Sequence, residues 1–208
     1  MLYIEKITYT LGGKATIFLS NEERLSISAA DVGALNISVE SEISESQLKA
    51  IRKMALEYSA REKALRSLSQ TDFSERSLSK RLKEKGVDES VAQKTVRELA
   101  EKGYVNDQVY AERLARVYGI EKHFGPRRVI SELISRGIDY NLAREVSEKV
   151  LTDLSENIKA LYNMRFARYD LTDIRQKKKV SDALVRYGYG FEEIRSLFSD
   201  LRIIQEDE

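Results

Sequence analysis

The sequence predicts a mainly α-helical protein, with tandem three-helix repeats in an elongated array behind a small N-terminal β-meander. Three observations lead to this reading. Gly86, Gly137 and Gly188 follow one another at intervals of 51 residues, and each ends a basic, leucine-bearing segment in which Leu82, Leu133 and Leu184 keep the same interval. Self-similarity at such a period marks units that bury their apolar faces on each other. The 208 residues include a single proline, Pro126, so long helices run uninterrupted. Residues 1–40 differ in texture, being rich in β-branched and aromatic side chains.

The elements follow in order. Tyr3 to Thr10 reads as a strand, Gly12-Gly13 as a tight turn, and Ala15 to Leu19 as a second strand. Asn21-Glu22 turns the chain into a third short strand at Arg24 to Ile27. From Ser44 the pattern becomes helical, and domain organisation is expected as 1–40 for the meander and 44–208 for the array, with units of about 58–104, 105–154 and 155–204. Ser44 and Gln47 form a capping box for a helix reaching about Leu68. Ser74 caps a helix that Gly86 ends, and Asp88 caps one that Gly103 ends, because glycine takes the left-handed conformation past a helix without a Cβ clash. In the second unit Asn106 or Asp107 opens a helix through about Lys122. Gly125-Pro126 opens the next, with proline at the first helical position, and Asp139 caps a third to about Asp153. The third unit is read as helices near 156–169, 172–187 and 190–203. Leu78, Leu82, Val129, Leu133, Val180 and Leu184 are spaced as core, and in the third helices Val91 and Leu142 correspond, with Ile194 one residue late. The acidic tail Glu206-Asp207-Glu208 is expected to fray.

Formal net charge is only +1, so the distribution of charge is informative and its total is not. Residues 59–104, 105–136 and 156–190 carry +3, +2 and +4, whereas 137–155 and 191–208 carry −2 and −4. Positive charge therefore gathers on the first two helices of each unit. One cluster is Arg113, Arg116, Lys122, Arg127 and Arg128; another is Arg175, Lys177, Lys178 and Lys179. Arg127 and Arg128 stand in the first turn of a helix, where the dipole disfavours cations by roughly 0.3–1 kcal/mol. Such placement suits charges aimed at an anion. The first cluster is expected to form one patch, which the lysines of the third unit extend.

No cysteine is present, which excludes disulfides, thiol nucleophiles and thiolate metal sites. His123 is the only histidine and has no clustered ligands, so no metal site is read. Gly12-Gly13 lacks the lysine and hydroxyl of a phosphate-binding loop. The chain thus shows no enzyme signature, no catalytic residues and no cofactor. The N-terminus lacks the layout of a signal peptide, and no apolar run approaches a membrane span, so a cytoplasmic protein with no membrane contact is expected. The eleven tyrosines are assigned mainly to packing at helix ends and junctions.

Particular residues carry a resemblance. Gly103-Tyr104-Val105-Asn106-Asp107, then Tyr110-Ala111-Glu112-Arg113, and then Gly125-Pro126-Arg127-Arg128-Val129 through Gly137-Ile138 closely resemble the RecX family. Ser74 to Gly86 is similar to that family's first-repeat serine-leucine-basic-leucine pattern. The resemblance spans about residues 58–205 and is densest over 74–138, while the third unit lacks a glycine-proline start. It implies a regulatory protein of homologous recombination, DNA repair and the SOS response. Such a protein lodges in the groove of the RecA nucleoprotein filament on single-stranded DNA and restrains filament growth, strand exchange and ATP hydrolysis. Single- or double-stranded DNA is a further candidate partner, and a monomer is expected. The alternative is a stand-alone nucleic-acid-binding helical module with helix-turn-helix-like units. Its weakness is the near-zero net charge, since DNA readers are usually basic overall.

Overall fold

The structure, a computed structural model, describes residues 2–206; Asp207 and Glu208 of the acidic tail lie outside the described residues. The chain forms two compact units, Met1–Val105 and Asn106–Glu208.

The first unit opens with an antiparallel sheet of order β1-β2-β3, from strands β1 (Ile4–Tyr9), β2 (Lys14–Leu19) and β3 (Arg24–Ser28). Gly13, at φ 74°, and Glu22, at φ 66°, occupy the two turns in the left-handed region. Strand β2 alternates strictly, burying Ala15, Ile17 and Leu19 on one face. That face meets Ile27, Val32 and Ile51, so burial against the helix that carries Ile51 adds to what the sheet's own hydrogen bonds supply. A short helix, α1 (Ala29–Val32), leads to the long helix α2 (Glu45–Leu68). The capping box at its start has both reciprocal bonds, Gln47 N donating to Ser44 Oγ and Ser44 N donating to Gln47 Oε1.

The far half of α2 packs with α3 (Glu75–Glu84) and α4 (Glu89–Glu101) around Ala64, Leu78, Leu82, Val96 and Leu99. In the second unit α5 (Asp107–Arg116), α6 (Pro126–Ser135) and α7 (Tyr140–Val150) enclose Ala111, Val129, Leu133 and Val146. Helices α8 (Leu154–Arg165), α9 (Ile174–Arg186) and α10 (Phe191–Glu206) enclose Ile158, Val180, Leu184 and Leu197. The expected core positions are all buried. Gly86, Gly137 and Gly188 each follow the second helix of a triplet with φ of 77°, 88° and 96°. After each, the next residue donates back into the helix, as Val87 N does to Leu82 O, Ile138 N to Leu133 O and Tyr189 N to Leu184 O.

Three readings of the sequence need correction. The buried equivalents on the third helices are Ala92, Ala143 and Ile194, all in step at 51 residues, whereas Val91 and Leu142 are only half-buried. Their larger side chains draw the eye one position away from the true register. Helix α5 ends at Arg116, and residues Val117–Glu121 form a π turn. A Cβ added to Gly119 in that turn would come 2.6 Å from Leu151 Cδ2, so the wider turn and the small residue make room for the end of α7. In the third triplet, 166–173 is not helical; Asp170 and Asp173 take the backbone amides of Thr172 and Arg175 instead.

Equivalent ion pairs tie first to third helices. Arg61 meets Glu98 at 3.0 Å, and 51 residues on Glu112 meets Lys149 at 2.7 Å with the charges exchanged.

Candidate functional site

The basic residues singled out in the sequence divide by what their neighbours ask of them. On α5, Arg113 and Arg116 stand one turn apart and exposed, with the Arg113 guanidinium 5.6 Å from the Tyr110 ring. Lys122 follows the π turn, exposed, its Nζ 4.9 Å from the Tyr118 ring. His123 then takes a positive φ of 54° and its Nδ1 lies 2.7 Å from Asn157 Oδ1. Asn157 Nδ2 donates to Gly119 O at 2.9 Å, which leaves Oδ1 as acceptor and makes Nδ1 the donor. Histidine here holds a loop in place.

Helix α6 begins against the chain that leaves α9. Gly125 N donates to Tyr187 O at 2.8 Å, and Arg127 N to Gly188 O at 3.3 Å. Two amides at the start of α6, which no intrahelical carbonyl reaches, are thus satisfied by carbonyls at the end of α9. Arg127 and Arg128 then diverge. Arg127 is exposed, has no side-chain partner among the described residues, and lines a cavity of about 400 Å³ with Phe191, Glu192 and Glu193. Arg128 lies flat on Phe124, its Cζ 3.8 Å from the ring centroid, with its Nε 3.6 Å from Glu132 Oε1. Arg127 is free to meet a partner, whereas Arg128 is committed to packing.

The run Arg175, Lys177, Lys178 and Lys179 does not share one face. Lys177 Nζ rests 5.2 Å from the Phe198 ring on α10, while Lys179 Nζ rests 5.3 Å from Tyr169 in the loop before α9. Successive helical residues are turned by about 100°, so neighbours in sequence separate around the axis. Arg175 and Lys178 are exposed. The four basic side chains also lie near the start of α9, roughly 10–17 Å along the axis from the end that meets α6. The lysines are a second basic region of the same unit.

Sequence reasoning passed over two basic groups. A groove of about 550 Å³ between α3 and α4 is lined by Arg76, Lys80, Lys83 and Arg97. The signal was the i, i+4, i+7 spacing of Arg76, Lys80 and Lys83. The second group is Arg165, which ends α8, and Arg168 just beyond it, interleaved with Phe166 and Tyr169.

Among the described residues no three histidine, cysteine or carboxylate side chains gather to hold a metal ion, and no helix is long and apolar enough to cross a membrane. Burial pushes the Tyr189 phenol up. It is structural, with its hydroxyl donating to His123 O at 3.1 Å.

Triplets of short helices that recur at an interval of 51 residues define a helical-repeat protein. Residues 60–99 match the family model described as RecX, first three-helix domain. The chain is 31% identical over 111 residues to Regulatory protein RecX of Stenotrophomonas maltophilia (strain R551-3), covering 53% of this chain and 68% of that one. It is 36% identical over 111 residues to Regulatory protein RecX of Trichlorobacter lovleyi, covering 51% and 72%. The fold is that of a crystal structure of regulatory protein RecX, at a TM-score of 0.73 and 19% identity over 96% of this chain and 100% of that one. A crystal structure of RecX from Lactobacillus salivarius superposes at 0.64 with 22% identity, covering 71% and 97%. The chain belongs to the RecX family.

Proposed function

We propose that this protein regulates a RecA recombinase by lodging in the groove of its filament on single-stranded DNA, where it restrains filament growth, strand exchange and ATP hydrolysis. Membership of a family of regulatory proteins supports the reading. The observation that carries it is the set of exposed cations Arg113, Arg116, Lys122 and Arg127 on a chain whose total charge is close to neutral. Local positive faces on a balanced body suit a partner that is part protein and part polyanion, because steering is kept while nonspecific capture by bulk nucleic acid is limited. The protein acts by occupancy, as a cytoplasmic monomer, and hydrolyses neither ATP nor nucleic acid.

The deciding experiment follows RecA ATPase on single-stranded DNA as the protein is added. Dose-dependent inhibition, relieved by Arg127→Ala, is expected. Unchanged turnover at saturating protein sinks the proposal and leaves the stand-alone nucleic-acid module as the better account.

A further inference from the structure

Five aromatic rings form an unbroken line through the packing of the second unit. Tyr118 and Phe124 are stacked at 6.1 Å, and Phe124 meets Tyr187 edge-on at 5.8 Å. Tyr187 meets Phe166 at 6.3 Å, and Phe166 meets Tyr169 at 6.3 Å. The first two rings are buried, and the last three are only half-buried. Packing accounts for the buried end, since aromatic pairs at these separations stabilise a core.

At the open end Phe166, Tyr169 and Tyr187 pack on the core of the third triplet with one side only, and cations crowd the side that stays exposed. Arg165 Cζ lies 5.9 Å from the Tyr187 centroid, Arg168 Cζ 5.5 Å from Tyr169, and Lys179 Nζ 5.3 Å from Tyr169. None of these three has a carboxylate within ion-pair distance among the described residues, although the chain holds 34 acidic residues, almost as many as its 35 lysines and arginines. Arg168 and Lys179 hydrogen-bond the Tyr169 hydroxyl and so draw its pKa down. Arg128, over both Phe124 and Tyr187, closes the buried end of the line.

Rings set beside guanidinium and ammonium groups that no carboxylate neutralises among the described residues are what bases and phosphates of one strand require. Bases stack on any π face or on a guanidinium plane, and the backbone follows the cations. The rings stand about 6 Å apart, well beyond the roughly 3.4 Å rise of duplex bases along each strand. They therefore match splayed bases and not a stacked helix. We infer that Tyr187, Phe166 and Tyr169 form a platform for unpaired bases of a single-stranded nucleic acid, with Arg165, Arg168 and Lys179 on its phosphates. A strand held here needs no recombinase, so the inference stands apart from the regulator reading.

The test is fluorescence anisotropy of the full chain with a labelled oligothymidylate, titrated against salt and repeated with oligouridylate and a duplex. Binding of either single strand in preference to the duplex is expected. Arg165→Ala with Arg168→Ala should lower the salt slope by about 1.4, at roughly 0.7 per lost phosphate contact on a single strand. Tyr169→Leu should weaken binding roughly ten-fold with the slope unchanged, and Tyr169→Phe should restore it. Lys179→Ala, a change to an exposed side chain, provides a charge-only variant whose circular dichroism is expected to stay native. Duplex preference overturns the inference, as do affinities unmoved by both the paired arginine change and Tyr169→Leu. Loss of strand binding with RecA inhibition intact supports the platform and leaves the regulator reading standing; the reverse result removes the platform alone.

Discussion

Gly125 and Gly188 approach so closely that neither has room for a side chain. A Cβ on Gly125 would fall 2.5 Å from both the carbonyl carbon and oxygen of Gly188, and a Cβ on Gly188 would fall 2.5 Å from Arg128 N. The obstacles are backbone atoms, which cannot swing aside. The glycine that begins α6 is therefore required by the neighbouring triplet, and the glycine that ends α9 is required twice, by this contact and by its φ of 96°.

Gly125→Ala is accordingly expected to destabilise the second unit by about 3 kcal/mol, at the upper end of overpacking costs. Gly86→Ala meets no atom within 4 Å and bears only the strain of a left-handed φ, about 1–2 kcal/mol. Urea unfolding of both variants checks the ranking. Equal losses would show that the backbone contact is relieved by a small shift.

Arg127→Ala and Arg128→Ala should separate function from packing. The Arg127 side chain has no partner among the described residues, so its removal should leave the melting temperature near wild type and weaken inhibition of RecA. Removing Arg128 deletes a cation held against two rings, a contribution of about 0.5–2 kcal/mol. Thermal melts alongside ATPase titrations distinguish them. A stability loss confined to the Arg127 variant would reverse these assignments.

Leu82→Ala and Leu133→Ala are substitutions at equivalent, fully buried positions in different compact units. Each should cost about 2–5 kcal/mol, and hydrogen exchange should show faster opening only in the unit that carries the change. Uniform acceleration throughout the chain would mean the two units open as one.

Acid should unfold the protein through its paired carboxylates. Lys149, Gln108 and Arg116 hold Glu112 below the usual carboxylate range, Arg52 does the same for Glu23, and Ser90 for Asp88. A depressed folded-state pKa contributes stability that is complete above the unfolded value, near 4, and is lost as pH falls through the folded value. Stability should therefore be flat near neutrality and fall below about pH 4. Glu112→Gln should flatten part of that fall, and an unaltered acid limb would remove Glu112 from the account.

Much of the fold was legible because its signals are local. Ser44 with Gln47, Asp88 and Asp139 announce helix starts through bonds that span three residues or fewer. Leu82, Leu133 and Leu184 announce the repeat because each must be buried in its own triplet. What escaped the sequence was set across space. The π turn at Val117–Glu121 sets Gly119 against Leu151, some thirty residues away. The basic run of α9 looked like one patch because a sequence is linear, whereas a helix sends Lys177 towards Phe198 and Lys179 towards Tyr169. Arg128 resembled Arg127 until Phe124 was found beneath it.

The exchanged ion pairs have a consequence for how the chain assembles. Similar helices in tandem invite mispairing, the characteristic failure of repeat proteins. Were the first helix of one triplet to dock on the third helix of the other, Arg61 would face Lys149 and Glu112 would face Glu98. Both wrong pairings are like-charged, and both right ones are attractive. Two inexpensive surface pairs thereby act as a key against misassembly, and their worth lies less in the native state than in the alternatives they close off.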